Sequence, residues 1–256
     1  MLNGAEEAMC AVAAVFAEKA RDQAHIHPVI CEPIGCDADF GVKAGASVLR
    51  PLLGVTSGGC WPGDSALGLT NHQSTAILFD ADTGSAVALV SAVYLTALRS
   101  AAAAAIATQA LARPDSTSLG IIGCGSQAMF QLDATLLVRP IERVCAWDPC
   151  TSRLQDFGRQ VVALGLAFEV KDCPRNVAGA AGVLVTLTPS GQALIEHGWM
   201  LPVRVSTRWE QTDVASTSSP PRRWPQRRCS WTRRNGLCGS ANPNTLSPRV
   251  RSSTCR

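Results

Sequence analysis

Apolar residues recur at helical spacing near the start of the chain. Ala8, Val12, Val15, Phe16 and Ala20 fall near one face, which predicts a helix over residues 4–21. The pattern then changes. His27-Pro28 disfavours helix before the proline, so residues 25–34 are expected to be extended. Residues 40–49 read as a strand carrying Lys43, and the glycine-rich stretch 54–68 reads as a loop. Residues 75–79 and 86–90 are expected to pair as a hairpin around Asp80-Ala-Asp-Thr-Gly84. An alanine-rich helix follows over 94–113 and is ended by Pro114. From Leu119 onward, strands at 119–123, 143–148, 167–171 and 182–187 alternate with helices at 126–138, 151–164 and 174–179. Such alternation implies a parallel sheet with right-handed crossovers. The fold class is therefore α/β, with an α+β part over 1–95 and a Rossmann-type domain over 96–202.

Periodicity stops at Pro202. Residues 203–256 hold 11 Arg, nine Ser, five Pro and three Trp, with no Ile, Phe, Met, Tyr or Lys. Such a mixture fits a disordered basic tail, although Trp209, Trp224 and Trp231 argue against an ordinary linker. The preferred reading is an aberrant segment translated out of frame from a GC-rich gene. Charge divides at the same place. Residues 1–202 carry 12 Lys/Arg against 18 Asp/Glu, so the overall +3 comes wholly from the tail. No nucleic-acid or membrane partner follows for the body. The stretch 97–112 is apolar but interrupted by Arg99, Ser100, Thr108 and Gln109, which suits a buried helix better than a membrane span. Eleven cysteines are scattered without a C-x-x-C pair, so neither zinc nor a disulfide framework is expected. With no signal peptide at the start, a reducing cytoplasm fits.

The candidate chemistry centres on Leu119-Gly-Ile-Ile-Gly-Cys-Gly-Ser-Gln-Ala128, an apolar strand, a G-x-G-x-x-A turn and a helix start. That context lays a dinucleotide pyrophosphate on a helix N-terminus. Gly123 permits the tight turn, Gly125 the close approach of phosphate, and Ala128 close packing. Ser126 and Gln127 offer backbone N–H groups to phosphate, or simply cap the helix. Asp148 closes the next strand, 25 positions after Gly123. It is expected to accept from the ribose hydroxyls and repel a 2′-phosphate, favouring NAD with NADP as the alternative. It could equally cap a turn before Pro149. Thr188 ends a predicted strand, where open α/β sheets bind ligands. Lys43 alone reads as a solvated strand residue, and Arg99, in an apolar helix, as half of an internal ion pair. Asn71 and His72 belong to a polar cluster before a strand.

These residues, in order, resemble the ornithine cyclodeaminase/mu-crystallin family over about residues 4–202. The matching runs are Gly41-Val-Lys43, Leu78-Phe-Asp-Ala-Asp-Thr-Gly84, Leu95-Thr-Ala-Leu-Arg99, Leu111-Ala-Arg-Pro-Asp115, Gly120 to Ala128, and Thr186-Leu-Thr-Pro-Ser190. His27-Pro-Val, Gly58-Gly-Cys-Trp-Pro62 and Gly68 to Thr75 point to its iminosuccinate reductase branch. The resemblance implies a homodimer, with residues 1–95 as part of a substrate and dimerisation domain. It implies an NAD(P)-dependent oxidoreductase acting at the C–N bond of a small amino or imino acid. Ketimine reduction to an L-amino acid is the leading expectation, and ornithine cyclodeamination to proline and ammonia the alternative. It also makes Lys43 and Arg99 the catalytic residues, Lys43 as a substrate contact and Arg99 within reach of cofactor phosphate and substrate carboxylate, and gives Asn71 and His72 a contact to substrate or cofactor.

The chain departs from the family pattern in three places. Cys31 stands where relatives carry a carboxylate-binding arginine, which removes a bidentate anion site. The opening strand of relatives is missing, so the start reads as truncated or misassigned. The family's Gly-rich loop and catalytic aspartate beyond Pro202 are not recognisable, and Asp213 does not match them. The fold is thus expected to be truncated at both ends. A non-catalytic binding protein and an inactive frameshifted product stay open beside the enzyme.

Overall fold

The computed structural model describes residues 4–35, 38–50, 52–188, 190, 193–199 and 205–208. Helix α1 (Ala5–Ala20) comes first and is followed by strands β1 (Ala24–Ile26), β2 (Ile30–Gly35), β3 (Ala38–Ser47) and β4 (Leu52–Cys60). A 3-10 turn (Pro62–Leu67) leads to β5 (His72–Asp80) and β6 (Ala86–Ser91). Every pairing in this six-stranded sheet is antiparallel, in the order β1-β3-β4-β5-β6 with β2 also on β3. The hairpin β5–β6 agrees with the alternation of its sequence. Its turn is held by Asp80, whose Oδ1 accepts the N–H groups of Asp82 and Thr83 at 3.0 and 2.8 Å.

The glycine-rich stretch is where expectation and structure part. Of the expected loop over 54–68, residues 54–60 are strand. The reason is steric. A Cβ on Gly58 would lie 2.2 Å from the Gln73 carbonyl oxygen, and one on Gly59 1.8 Å from that of Asp39. Glycine here lets β3, β4 and β5 crowd together, whereas composition alone reads glycine as a breaker.

Helix α2 (Val93–Leu111) leaves the first sheet and enters the second half. There follow β7 (Ser118–Ile122), α3 (Ala128–Leu136), β8 (Arg143–Trp147), α4 (Thr151–Ala163), β9 (Ala167–Val170), α5 (Pro174–Ala180) and β10 (Val183–Thr186). A last strand, β11 (Val205–Arg208), pairs parallel with β10. The second sheet is wholly parallel, in the order β11-β10-β7-β8-β9. Its middle strands are apolar on both faces because helices cover both. Leu119, Ile121, Val144, Ala146, Val183 and Val185 pack on Leu132 of α3 and on Leu154, Phe157 and Val161 of α4. Ile122, Cys145 and Leu184 pack on Val177, Ala178 and Ala181 at the other face. Each such side chain contributes about 1.5–3 kcal/mol by leaving water. The alternating pattern from Leu119 is thus a Rossmann-type domain. Strand β11 falls within the segment that composition set apart as an aberrant tail, and the rest of that segment, 203–204 and 209–256, lies outside the described residues. Among the described residues no helix is long and apolar enough to cross a membrane.

Helix α2 ties the two sheets together. Its first turn is bound to β5: Ala92 N–H donates to the Ser74 carbonyl at 2.8 Å, and the Ser74 and Thr96 hydroxyls lie 3.3 Å apart. Further along, Ala101 and Ala105 meet Ala134 of α3, small residues that allow close approach. Its C-terminal carbonyls are capped by a buried arginine. Arg139 Nη2 donates to the carbonyls of Thr108, Gln109 and Ala112 at 2.6–2.9 Å.

Candidate functional site

Strand β7 delivers the chain into the G-x-G-x-x-A turn. Gly123 has φ 94°, in the left-handed region that suits glycine, and a Cβ there would meet the Leu187 carbonyl oxygen at 2.8 Å and Thr188 Cγ2 at 2.9 Å. Thr188 is thereby placed against the fingerprint turn. A Cβ on Gly125, by contrast, meets nothing within 4 Å among the described residues. That open space is what a phosphate needs if it is to approach the backbone. Helix α3 begins at Ala128 with Gln127 as its N-cap, so Ser126 and Gln127 lie in the turn rather than in the helix. Gln127 also keeps a buried Oε1 without a hydrogen-bond partner among the described residues.

Asp148 follows β8 and clamps this turn. Its Oδ2 accepts the Cys124 N–H at 2.7 Å, its Oδ1 the Cys150 N–H at 2.7 Å, and Arg153 Nη2 lies 3.2 Å from Oδ1. Arg153 was not visible as a partner in the sequence, since five residues is no helical or strand repeat. A cleft of about 250 Å³ opens beside the turn, lined by Gly125, Ser126, Met129, Arg153 and Gln160 among others. Burial and the Asp148 carboxylate push the Cys124 thiol up to about 12, so it is an inert packing group.

A second set of residues gathers on one face of the antiparallel sheet. Register puts Cys31 opposite Gly41, Lys43 opposite Thr56, Gly58 opposite Ser74, and Cys60 opposite both Asp39 and His72. Side chains alternate along a strand, so Cys31, Asp39, Lys43 and His72 share this face. Ser74 and Thr96 join it to α2, and Arg99 follows Thr96 by three residues on the same side of the helix. Lys43 and Arg99 are surrounded by protein yet keep solvent access, a combination that marks a recess open to solvent.

Electrostatics bind this group into one site. Burial and the Arg99 guanidinium lower the pKa of Lys43, against the raising effect of Cys31 and Asp39. Burial, then Lys43 and Arg99, lower that of His72, with Asp39 and a hydrogen bond to the Gly59 backbone opposing. Burial lowers that of Arg99. The buried His72 Nε2 has no hydrogen-bond partner among the described residues. Two cations and a neutral imidazole facing one concavity suit a small anion, above all one with two carboxylates. Asn71 is exposed next to His72, and its carbonyl accepts the Trp61 N–H at 2.7 Å. Asp39 was missed by sequence reasoning. Its Oδ1 accepts the Cys60 N–H at 2.7 Å and it acts on both Lys43 and His72. The alternation Asp39, Gly41, Lys43 was the signal that could have found it.

The fold and these two sets of residues define a two-part α/β protein, with a Rossmann-type domain joined through one helix to an antiparallel sheet bearing a cationic concavity. The chain belongs to the ornithine cyclodeaminase/mu-crystallin family, whose profile matches residues 5–203. It is 41% identical over 195 residues to the iminosuccinate reductase of Paracoccus denitrificans (strain Pd 1222), covering 75% of this chain and 61% of that protein. The crystal structure of the Paracoccus denitrificans enzyme in complex with NAD+ superposes with a TM-score of 0.68 at 38% identity, covering 80% of this chain and 63% of that one. An archaeal alanine dehydrogenase dimer with bound NAD superposes at 0.74 with 30% identity, covering 80% and 63%. The chain thus spans a little over three fifths of the length of these relatives.

Proposed function

We propose that this chain carries the dinucleotide-binding and substrate-binding elements of an NAD-dependent reductase. Its substrate is a small imino dicarboxylic acid of the iminosuccinate type, and its product an L-amino acid. The observation that carries this reading is the convergence of Lys43, His72 and Arg99 on one concavity. The likeness to the iminosuccinate reductase supports it. A diamino acid such as ornithine suits the same concavity less well, because its side-chain ammonium would face two cations.

The residues at the turn fit a dinucleotide. Gly125 leaves room for pyrophosphate, the N-terminus of α3 favours negative charge, and Asp148 fixes the turn between them. A reduced nicotinamide, when bound, supplies hydride to the imine carbon. Lys43 and Arg99 hold the two carboxylates and so restrict the imine to one orientation, from which proximity lowers the barrier. His72 lies beside Lys43 and Arg99, and its lowered pKa favours the neutral imidazole, so it adds no third cation to the carboxylate-binding pair. The thiols of Cys10, Cys124, Cys145, Cys150 and Cys173, free among the described residues, suit a reducing compartment such as the cytoplasm.

The protein pairs with a second copy of itself through the other face of the antiparallel sheet. Ile30, Phe40, Val42, Val55, Ile77 and Leu89 share that face by register, and Ile30 and Leu89 remain 61% and 73% exposed. The archaeal relative is itself a dimer.

The test is NADH oxidation with oxaloacetate and ammonia, set beside proline formation from ornithine. Reduction is expected only in the first, with kcat/KM lower by about 100-fold or more in Lys43→Ala and in Arg99→Ala. Saturable NADH binding without turnover on any imine would make the chain a binding protein. Proline formation would make it a cyclodeaminase.

A further inference from the structure

A free carboxylate at the end of the second parallel strand accepts the ribose hydroxyls of a dinucleotide and repels a 2′-phosphate. Asp148 does not present itself in that way. Both its oxygens accept backbone N–H groups at 2.7 Å, one from the fingerprint turn and one from the N-cap of α4. The Arg153 guanidinium lies 3.2 Å away, and the Asp148 side chain is only 4% exposed while that of Arg153 is 53% exposed. What the ribose end meets first is therefore a cation, with the anion behind it already compensated.

The adjoining cleft has the right chemistry and size. It runs between α3 and α4 from Gly125 and Ser126 past Arg153 to Gln160, and its volume of about 250 Å³ exceeds that of a phosphate group. Asp156 also lines it, but its carboxylate is held by Arg159 one turn further along α4. A guanidinium has five N–H donors, so its contact with Asp148 does not exhaust it.

We infer that Arg153 is the specificity-determining residue at the adenosine ribose, and that it admits a 2′-phosphate: the site binds the 2′-phosphorylated dinucleotide as well as the plain one. Asp148 then serves as a positioning residue for the turn. This rests on the dinucleotide reading above. The experiment is calorimetric titration of the full chain with ADP-ribose and with 2′-phospho-ADP-ribose, which needs no turnover. The two are expected to bind within about tenfold of each other. Arg153→Ala should weaken the phosphorylated ligand by about tenfold or more and leave ADP-ribose within about threefold, and Arg153→Lys should restore part of the loss. Melting curves of the variants check that the fold is intact, as expected for a half-exposed side chain. Rejection of 2′-phospho-ADP-ribose by 100-fold or more, or equal weakening of both ligands in Arg153→Ala, would overturn the inference while leaving the dinucleotide site standing. Failure of both ligands to bind the parent chain would overturn the dinucleotide reading with it.

Discussion

Gly123 and Gly125 are two residues apart and are glycines for different reasons. The first has a positive φ and no room for a Cβ, whereas the second faces open space. Their alanine variants should therefore separate. Gly123→Ala is expected to lower the melting temperature and to lose dinucleotide binding together. Gly125→Ala should melt like the parent yet bind dinucleotide about tenfold or more weakly, because the added methyl occupies the path of the phosphate. Equilibrium titration beside a melting curve distinguishes the two. Lys43 brings a pH dependence. Its pKa is lowered by burial and by Arg99, so it gives up its proton at a lower pH than an ordinary lysine. As pH rises, the alkaline fall in kcat/KM should come before the ordinary lysine range, and in Lys43→Arg it should move to higher pH whatever activity remains. At this scale the sequence made the turn legible, because a tight turn with a positive φ at Gly123 and open space at Gly125 needs small residues at fixed offsets. It also singled out Lys43, His72 and Arg99 one at a time. That they meet in one concavity depends on the register of β3 on β4 on β5, which no single residue encodes.

Among the elements, the helices and most strands were legible because each buries a face whose period shows in the chain. Two strands were not. In β4 the glycines serve crowded neighbours, and β11 is four residues long with no apolar run of its own. The capping of α2 was hidden too, since Arg139 lies 27 residues beyond the last carbonyl it satisfies. Replacing it leaves the Gln109 and Ala112 carbonyls at the end of α2 to find other donors, while that of Thr108 keeps the Ala112 N–H. Arg139→Met, which keeps the apolar stem, is expected to cost roughly 2–3 kcal/mol, read as a fall in the urea midpoint with little change in slope. The junction of α1 is held more loosely. Glu18 accepts from Ser47 Oγ at 2.9 Å and pairs with Arg50 at 3.4 Å, and that arginine is half exposed.

For the molecule as a whole, the two sheets divide the work. The parallel one is covered on both faces by its own helices, and the antiparallel one carries the concavity on one face and bare apolar side chains on the other. A second copy would cover those side chains. Leu89→Asp is expected to shift the protein toward the monomer by sedimentation, leaving dinucleotide binding within about twofold, because the change lies on the sheet face away from the site and far from the turn. A chain that sediments as a monomer before any substitution would remove the case for that interface. The division into two parts was legible from the change of period near Leu119, while the apolar outer face became visible only once the strands were in register.

Helix α2 joins the parts, and its phase matters as much as its length. Nineteen residues make a rod of roughly 28 Å, hydrogen-bonded to the concavity's sheet at one end and clamped by Arg139 at the other. Arg99 stands between these anchors. Adding one alanine between Arg99 and Thr108 would lengthen the rod by about 1.5 Å and turn its ends against each other by about 100°. The antiparallel sheet with its cationic residues and the parallel sheet with its glycine turn would each survive, but out of step, like two gears keyed to a twisted shaft.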